Sequence, residues 1–178
     1  YAKANPGKVA WGSSGFTTTA MLNTYSIMQR YGLDITLVPY AGNNPARPAL
    51  MGNIIQLLWL TEGEYLSDSA NKRVKPILVS GAERLRSAPE IPTSTELGHS
   101  ELVGFYYGLS LPGATPKPVV DRLYDGVQFA AKQQEVTDYA AKYLIRLTGY
   151  GPEASAKRLQ ELADGYSAVA AKAGIKPQ

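Results

Sequence analysis

The sequence has no cysteine and only one histidine, His99. The absence of cysteine excludes disulfides and thiolate catalysis, and it leaves the redox compartment undetermined. With one histidine, a metal site would consist almost entirely of carboxylates, and no group of Asp and Glu residues has the spacing of metal ligands. We therefore expect no metal and no cofactor.

Long apolar runs and runs of one charge are also missing. No stretch approaches the roughly 18 residues of a membrane span, and no secretory signal is recognisable, so the sequence leaves open whether one was removed. Lys and Arg number 18 against 15 Asp and Glu. The one basic cluster, residues 72–75, is short and lacks interleaved aromatics, so we expect no nucleic-acid partner.

The most informative stretch begins at residue 9. Val-Ala-Trp forms a short apolar run of the β type, and Gly-Ser-Ser-Gly-Phe-Thr-Thr follows at residues 12–18. Met21, Tyr25 and Met28 then recur at the i, i+4 and i+7 spacing of a helix with one apolar face. The pattern predicts a strand, a turn rich in glycine and hydroxyl groups, and the start of a helix.

Such a turn is suited to binding an anion. The first N–H groups of a helix have no partner within the helix, and the helix dipole makes that end partly positive. The glycines let the backbone approach a ligand, and four hydroxyl side chains add donors: Ser13, Ser14, Thr17 and Thr18. We interpret the turn as a seat for a small anion. The simpler alternative is that one hydroxyl caps the helix and the others contact water.

Short apolar runs alternate with helical segments over the following residues. Strands are predicted at 35–38, 54–60 and 76–80, and helices at 46–51 and 62–70. This alternation is typical of a parallel sheet covered on both faces. Because parallel strands end at one edge, the loops at 12–18, 40–45 and 60–63 should converge there, where open α/β sheets bind ligands.

The second half of the chain is predicted to contain fewer strands and more helix. We expect irregular structure at 81–101 with a short helix near 95–97, strands at 103–111 and 145–147, and helices from 117 to 131, 135 to 144 and 152 to 173. The last helix keeps one apolar face, which we interpret as core packing.

With these motifs in hand, the chain resembles the Bug family, the periplasmic solute receptors of tripartite tricarboxylate transporters. The resemblance runs over the whole sequence. It is carried by residues 1–8, 12–15, 39–46, 80–82, 89–93, 107–123 and 173–177.

The resemblance implies an α/β fold of the type II periplasmic binding protein class, with a parallel-rich sheet flanked by helices and two lobes. Residues 1–102 would be the second, ligand-gripping lobe. Residues 103–178 would be a hinge strand and the C-terminal part of the first lobe. The family's first lobe starts upstream of Tyr1, so we expect the first lobe to be incomplete here and to offer a surface for self-association.

The resemblance also implies a non-catalytic periplasmic receptor, which binds a small organic carboxylate and delivers it to a membrane permease. The resemblance places the carboxylate grip on Ser13, Ser14, Gly15 and Thr18, with Tyr40 and Gly42 beside it. From their own chemistry and their place at the same edge, Thr17, Arg47 and Thr61 are added to the expected ligand-binding residues. Among them, Arg47 would pair with a second carboxylate of a diacid, although an arginine there is more often solvated.

Several positions depart from the family pattern. Thr17 replaces a frequent Gly, Met21 a His, Ala41 a Lys, and Leu60-Thr61 an Asp-Asn or Ser-Asn pair. The loss of polar groups at residue 60, next to Trp59, suggests a ligand with a less polar body.

Two alternatives remain at this level. Residues 12–16 approach the nucleophile pattern Gly-x-Ser-x-Gly of serine hydrolases, but Phe16 stands where glycine is required. We expect His99, the only possible base, to be a surface loop residue without a carboxylate to orient it. The other alternative is a sensor module that binds a protein partner.

Overall fold

The computed structural model describes residues 1–15, 18–69, 73–102, 104 and 107–172. The chain divides into two compact units. One contains the described residues up to Gly104 together with those from Tyr166 onward, and the other runs from Tyr107 to Gly165. The lobe boundary near residue 102 stays a prediction.

The first unit is built on a parallel sheet of three strands in the order β2-β1-β3. These are β1 (Ala10–Ser13), β2 (Thr36–Pro39) and β3 (Leu57–Leu58). Trp11 of the central strand pairs with Leu37 on one side and with Leu57 on the other. The parallel sheet predicted from the apolar runs is confirmed.

Three helices follow the three strands in turn. They are α1 (Thr19–Tyr31), α2 (Asn43–Met51) and α3 (Glu62–Ser69). Gly32 ends α1 in the left-handed conformation, with φ of 59°. The second helix begins before the predicted residue 46. Pro45 lies in its first turn, where an N–H would have no helical acceptor, whereas Pro48 lies inside the helix and removes one helical hydrogen bond.

Helices cover both faces of the sheet, because alternate residues of a strand point in opposite directions. The first core cluster contains Val9, Trp11 and Ile35, and Ile27 and Met28 of α1 pack against it. The second contains Ala46 and Ala49 of α2 with Ile55, against which Ala10, Val38 and Leu58 pack. Thus α1 and α2 lie on opposite faces of the sheet.

Some strand predictions are wrong. The strand expected at 54–60 is formed only at Leu57–Leu58. In place of a strand at 76–80, Val79 makes a single parallel bridge to Thr93. Pro76 has no N–H, and Val79 finds its partners at Pro92 and Ser94 rather than in the sheet. Residues 94–98, with the short helix expected at 95–97, form turns.

The regular elements that the structure describes in the second unit are helices. Its elements are α4 (Lys117–Ala131), α5 (Gln134–Lys142) and the first part of α6 (Pro152–Lys172), which continues into the first unit. The predicted strand at 103–111 is absent from its described residues, 104 and 107–111, while 103, 105 and 106 lie outside the described residues. The strand expected at 145–147 does not form either. An extended apolar segment with no neighbouring strand has no hydrogen-bond partners for its backbone N–H and C=O groups, so it does not form a strand.

The apolar faces of these helices are less buried than the periodicity of their apolar residues suggests. No described residue of α4 is buried. In α6, Leu162 is buried but Leu159 is exposed. The core packing predicted for α6 is therefore confirmed for Leu162 and is wrong for Leu159.

Candidate functional site

The carboxyl ends of β1, β2 and β3 lie at one edge of the sheet, since the strands are parallel. Each strand is followed there by a loop and the N-terminus of a helix. In the order β2-β1-β3 the chain passes from β1 to β2 on one side and then crosses back to β3 on the other, and open α/β sheets bind ligands in a crevice at such a reversal of direction. This edge is the candidate functional site.

The turn after β1 is organised by Ser13. Its hydroxyl is buried and donates to the Gly15 carbonyl at 2.7 Å, while the Gly15 amide lies 3.3 Å from the same hydroxyl oxygen. Gly15 has φ of 135°, a conformation that favours glycine. Ser13 therefore holds the shape of the turn. Ser14 follows it and is partly exposed, and the predicted ligand residue Thr17 lies outside the described residues.

Thr18 is the N-cap of α1. Its hydroxyl accepts a hydrogen bond from the Met21 amide at 3.3 Å and donates to the Gly15 carbonyl at 3.3 Å. The helical bonds begin with the Leu22 amide on the Thr18 carbonyl, so the amides of Thr19 and Ala20 have no acceptor within the helix. The first turn of α1 contains no acidic residue. This helix end can receive an anion.

Tyr40 and Gly42 shape the neighbouring loop. The Tyr40 amide donates to the Ser13 carbonyl at 2.8 Å, which ties this loop to the turn after β1. The Tyr40 ring packs against the second core cluster. Gly42 is the N-cap of α2, with φ of 102° and no side chain to cap the helix.

Thr61 and Glu64 cap the third helix reciprocally. The Glu64 Oε2 atom accepts from the Thr61 amide at 2.8 Å, and the Glu64 amide donates to the Thr61 hydroxyl at 3.3 Å. Asn43, the first residue of α2, donates from Nδ2 to Glu64 Oε2 at 3.0 Å and to the Trp59 carbonyl at 3.2 Å. These bonds join α2, α3 and the end of β3.

Arg47 is engaged by a buried carboxylate. Its Nε lies 2.8 Å from Asp68 Oδ2, and its Nη2 lies 2.6 Å from Asp68 Oδ1, a two-pronged pair. The hydrogen bonds that Arg47 donates to Asp68 raise the pKa of Arg47 against the opposing effect of burial, and the charges of Asp68 and Glu64 add to that rise. The predicted pairing of Arg47 with a ligand stays a prediction, and in this structure it holds Asp68.

His99 differs from the expectation. It is buried, with its Nε2 at 2.6 Å from the Tyr31 hydroxyl and its Nδ1 at 3.3 Å from Glu101 Oε1. The prediction of a surface residue without an orienting carboxylate is wrong, because Tyr31 and Glu101 close over the ring. Tyr31 ends α1, about 18 Å along the helix from its start, so His99 is too far away to serve as a base for Ser13 or Ser14.

Trp59 lies in the core beside α1. Its ring centroid is 5.8 Å from that of Trp11, and its Nε1 donates to the Thr24 hydroxyl at 2.9 Å. Thr24 is buried and donates in turn to the Ala20 carbonyl. Asn43, Glu64 and the Trp59–Thr24 bond were not predicted. The Thr-x-x-Glu spacing at residues 61–64 is a capping-box signature that could have revealed Glu64.

The described residues contain neither a metal site nor a membrane span. They include no group of three or more His, Asp or Glu side chains able to hold a metal ion. Within the same described ranges, no helix combines the length and the apolar character needed to cross a membrane.

The fold is that of an α/β domain with its candidate ligand site at the carboxyl edge of a parallel sheet. Residues 1–163 match the tripartite tricarboxylate transporter family receptor, TctC. The chain belongs to this family of solute-binding receptors, as its sequence motifs predicted.

Two curated relatives illustrate the similarity. The "UPF0065 protein in gbd 5′region" of Cupriavidus necator is 29% identical over 145 residues, which are 80% of this chain and 43% of that protein. Protein BugT of Bordetella pertussis is 28% identical over 120 residues, or 66% of this chain and 37% of that protein. The chain spans less than half the length of these relatives.

Solved structures confirm the periplasmic binding protein fold. A periplasmic transporter has a TM-score of 0.81 and 30% identity, covering 98% of this chain and 59% of its own. An R. palustris protein solved with adipate has a TM-score of 0.77 and 23% identity, with coverage of 100% and 60%. MatC from Rhodopseudomonas palustris with bound malate has a TM-score of 0.72 and 22% identity, with coverage of 95% and 59%.

Proposed function

We propose that this chain binds a small organic carboxylate at the N-terminus of α1. One ligand carboxylate oxygen would accept from the amides of Thr19 and Ala20, and the other from the Ser14 hydroxyl. Ser13, Gly15 and Thr18 hold the turn in place, with Thr17 beside them in the sequence. Tyr40, Gly42 and Thr61 border the crevice from the loops after β2 and β3.

The proposal rests on the hydrogen bonding and the charge at the N-terminus of α1. Its cap leaves two amides without a helical acceptor, and its first turn has no acidic side chain to compete with a ligand. Helix N-termini attract anions through these amides and through the helix dipole. Family membership supports a solute ligand, and two structures of the same fold are described with the carboxylates adipate and malate.

A thermal-shift screen of the chain against mono- and dicarboxylates tests the proposal, because a ligand that binds only the folded state raises the melting temperature. An acid that gives a shift should bind Ser14→Ala about tenfold or more weakly, as expected when a hydrogen bond to a charged group is lost. Ser26→Ala, about two turns into the same helix, is the control and should keep the affinity. Equal affinities of the two variants, or no shift with any acid, would overturn the proposal.

Periplasmic location and delivery to a permease complete the proposed role. The family's description as a transporter receptor supports both. Pull-down of the tripartite permease subunits from membranes should increase when the bound acid is present, since a receptor hands over its solute in the liganded state. Ligand-independent capture of a different membrane protein would instead favour the sensor module. Light scattering tests the predicted self-association.

A further inference from the structure

The three helix N-termini at the candidate site differ in charge. The first turn of α1 has no acidic residue, whereas the first turn of α3 has Glu62 and Glu64. Gly12 pairs with Leu58, so the loops after β1 and β3 leave the sheet side by side, about 5 Å apart. The N-terminus of α1, which attracts an anion, therefore lies next to the N-terminus of α3, which carries negative charge.

Glu64 is fixed in this position by several donors. Its Oε2 atom accepts from Asn43 Nδ2 at 3.0 Å, from the Thr61 amide at 2.8 Å and from the Thr61 hydroxyl at 3.0 Å. The carboxylate thus accepts from the Thr61 amide, just before α3, and holds its negative charge at that helix end. Its charge also remains at the border of the crevice.

No cation in these loops offsets that charge. The loops at residues 12–18, 40–45 and 60–63 contain no Lys or Arg. Arg47, in the middle of α2, uses Nε and Nη2 on Asp68, whose side chain is only 6% exposed. Withdrawing Arg47 would leave the Asp68 carboxylate buried and unpaired, which is strongly unfavourable.

We propose that this edge accepts a ligand with one carboxylate and excludes a second one, with Glu64 as the residue that sets this preference. The inference rests on the proposed function, since it takes the ligand carboxylate to lie at α1. The rest of the ligand then extends toward β3 and α3 as an uncharged body. The relatives solved with adipate and malate hold diacids, so this chain would differ from them in ligand charge.

The test compares adipate with monomethyl adipate, which has nearly the same length but one charge less. Calorimetric titration of the chain at pH 7.5 and fixed ionic strength should give roughly tenfold tighter binding of the monoester, because two like charges within about 10 Å repel each other. Added salt should narrow the difference, since it screens the repulsion.

Glu64→Gln isolates the role of the charge. Glutamine also serves at this position of a capping box, so the variant should keep the helix cap while losing the charge. Adipate should gain affinity in Glu64→Gln, and the monoester should change little. Glu62→Gln is the matched control, because it removes the same charge from the same turn, and its carboxylate binds Ser87 instead. It should change the ratio of the two affinities much less than Glu64→Gln does.

The outcomes separate the two proposals. If neither ligand nor any other carboxylate binds, the proposed function fails, and this inference fails with it. If adipate binds the wild type as tightly as the monoester, carboxylate binding stands and the single-charge preference is overturned. If Glu64→Gln changes both affinities equally, or if it does not fold and salt leaves the wild-type ratio unchanged, Glu64 does not set the preference.

Discussion

The hydroxyl of Tyr31 lies 2.6 Å from Nε2 of His99. This contact ties the last turn of α1 to the loop that ends at Leu102, because Nδ1 of His99 faces Glu101 and the His99 amide donates to the Ser94 carbonyl. Arg30 of α1 reaches the same Glu101 carboxylate at 3.3 Å. The C-terminal end of the helix whose N-terminus faces the crevice is thus anchored by a polar network.

Removing the Tyr31 hydroxyl should destabilise the fold. In Tyr31→Phe the buried Nε2 of His99 loses its partner, which we expect to cost about 1–2 kcal/mol of unfolding free energy. Urea denaturation followed by circular dichroism measures the loss. Tyr25→Phe, on the same helix, is the control and should stay within about 0.5 kcal/mol of wild type. Similar losses in the two variants would show that the Tyr31–His99 bond adds no stability.

Stability should fall in acid partly through Glu101. Burial alone would raise the pKa of this carboxyl, but its own backbone amide, the hydrogen bond with His99 and the charge of Arg30 together bring it below the ordinary 4.5. A lowered folded-state pKa gives stability that is complete above 4.5 and is lost as the pH falls through the folded-state value. In urea midpoints measured from pH 7 to pH 3, Glu101→Gln should lose less stability than wild type. Glu90→Gln is the exposed control, and equal slopes in all three proteins would contradict the prediction.

Gly12 should not tolerate a side chain. A Cβ at this position would overlap Cδ1 of the fully buried Ile55 and lie 3.3 Å from Cδ1 of Leu58. We expect Gly12→Ala to cost about 1–3 kcal/mol, the usual range for overpacking a core. Denaturant unfolding of the chain measures this cost.

A double-mutant cycle identifies the cause. Ile55→Val removes the atom in the way, at a cost of about 0.5–1.5 kcal/mol when made alone. The double variant Gly12→Ala with Ile55→Val should be more stable than the sum of the single losses predicts, because the added methyl fills the space that is vacated. Strict additivity would mean that the cost of Gly12→Ala arises elsewhere, for example in the backbone.

The hydrogen bond that the Thr18 hydroxyl accepts at the start of α1 should stabilise the fold. Thr18→Ala removes the acceptor of the Met21 amide and should cost about 1 kcal/mol, whereas Thr18→Ser keeps an acceptor and should cost only a few tenths. Thermal unfolding of both variants, with Thr19→Ala as the neighbouring control, measures the difference. If serine and alanine are equally destabilising, the lost methyl group and not the cap is responsible.

Local patterns in the sequence predicted β1, β2 and α1 of the first unit. The apolar runs near residues 10 and 36 predicted β1 and β2, and the spacing of Met21 and Met28 predicted α1. These predictions succeed because apolar periodicity and the signals at helix ends depend only on residues close together in the sequence.

Predictions that depended on distant partners were less successful. Residues 76–80 have the composition of a strand, but Val79 finds only a bridge to Thr93. His99 was expected at the surface, because a lone histidine in a polar loop gives no sign that Tyr31, 68 positions away, will cover it. Strand pairing and burial depend on contacts between segments that are far apart in the sequence.

The sequence by itself thus determined the parallel α/β order and the placement of a hydroxyl-rich turn at the start of α1, since both follow from local periodicity and helix-end chemistry. Only the tertiary structure decided which polar groups in and around that turn have hydrogen-bond partners within the protein. It assigned Ser13 and Thr18 to the turn, Arg47 to Asp68 and Glu64 to Thr61 and Asn43. The physical reason is that a hydrogen-bonding group becomes available to a ligand only when folding gives it no partner, and Arg47 and Glu64 find partners 21 positions away in the sequence, at Asp68 and Asn43.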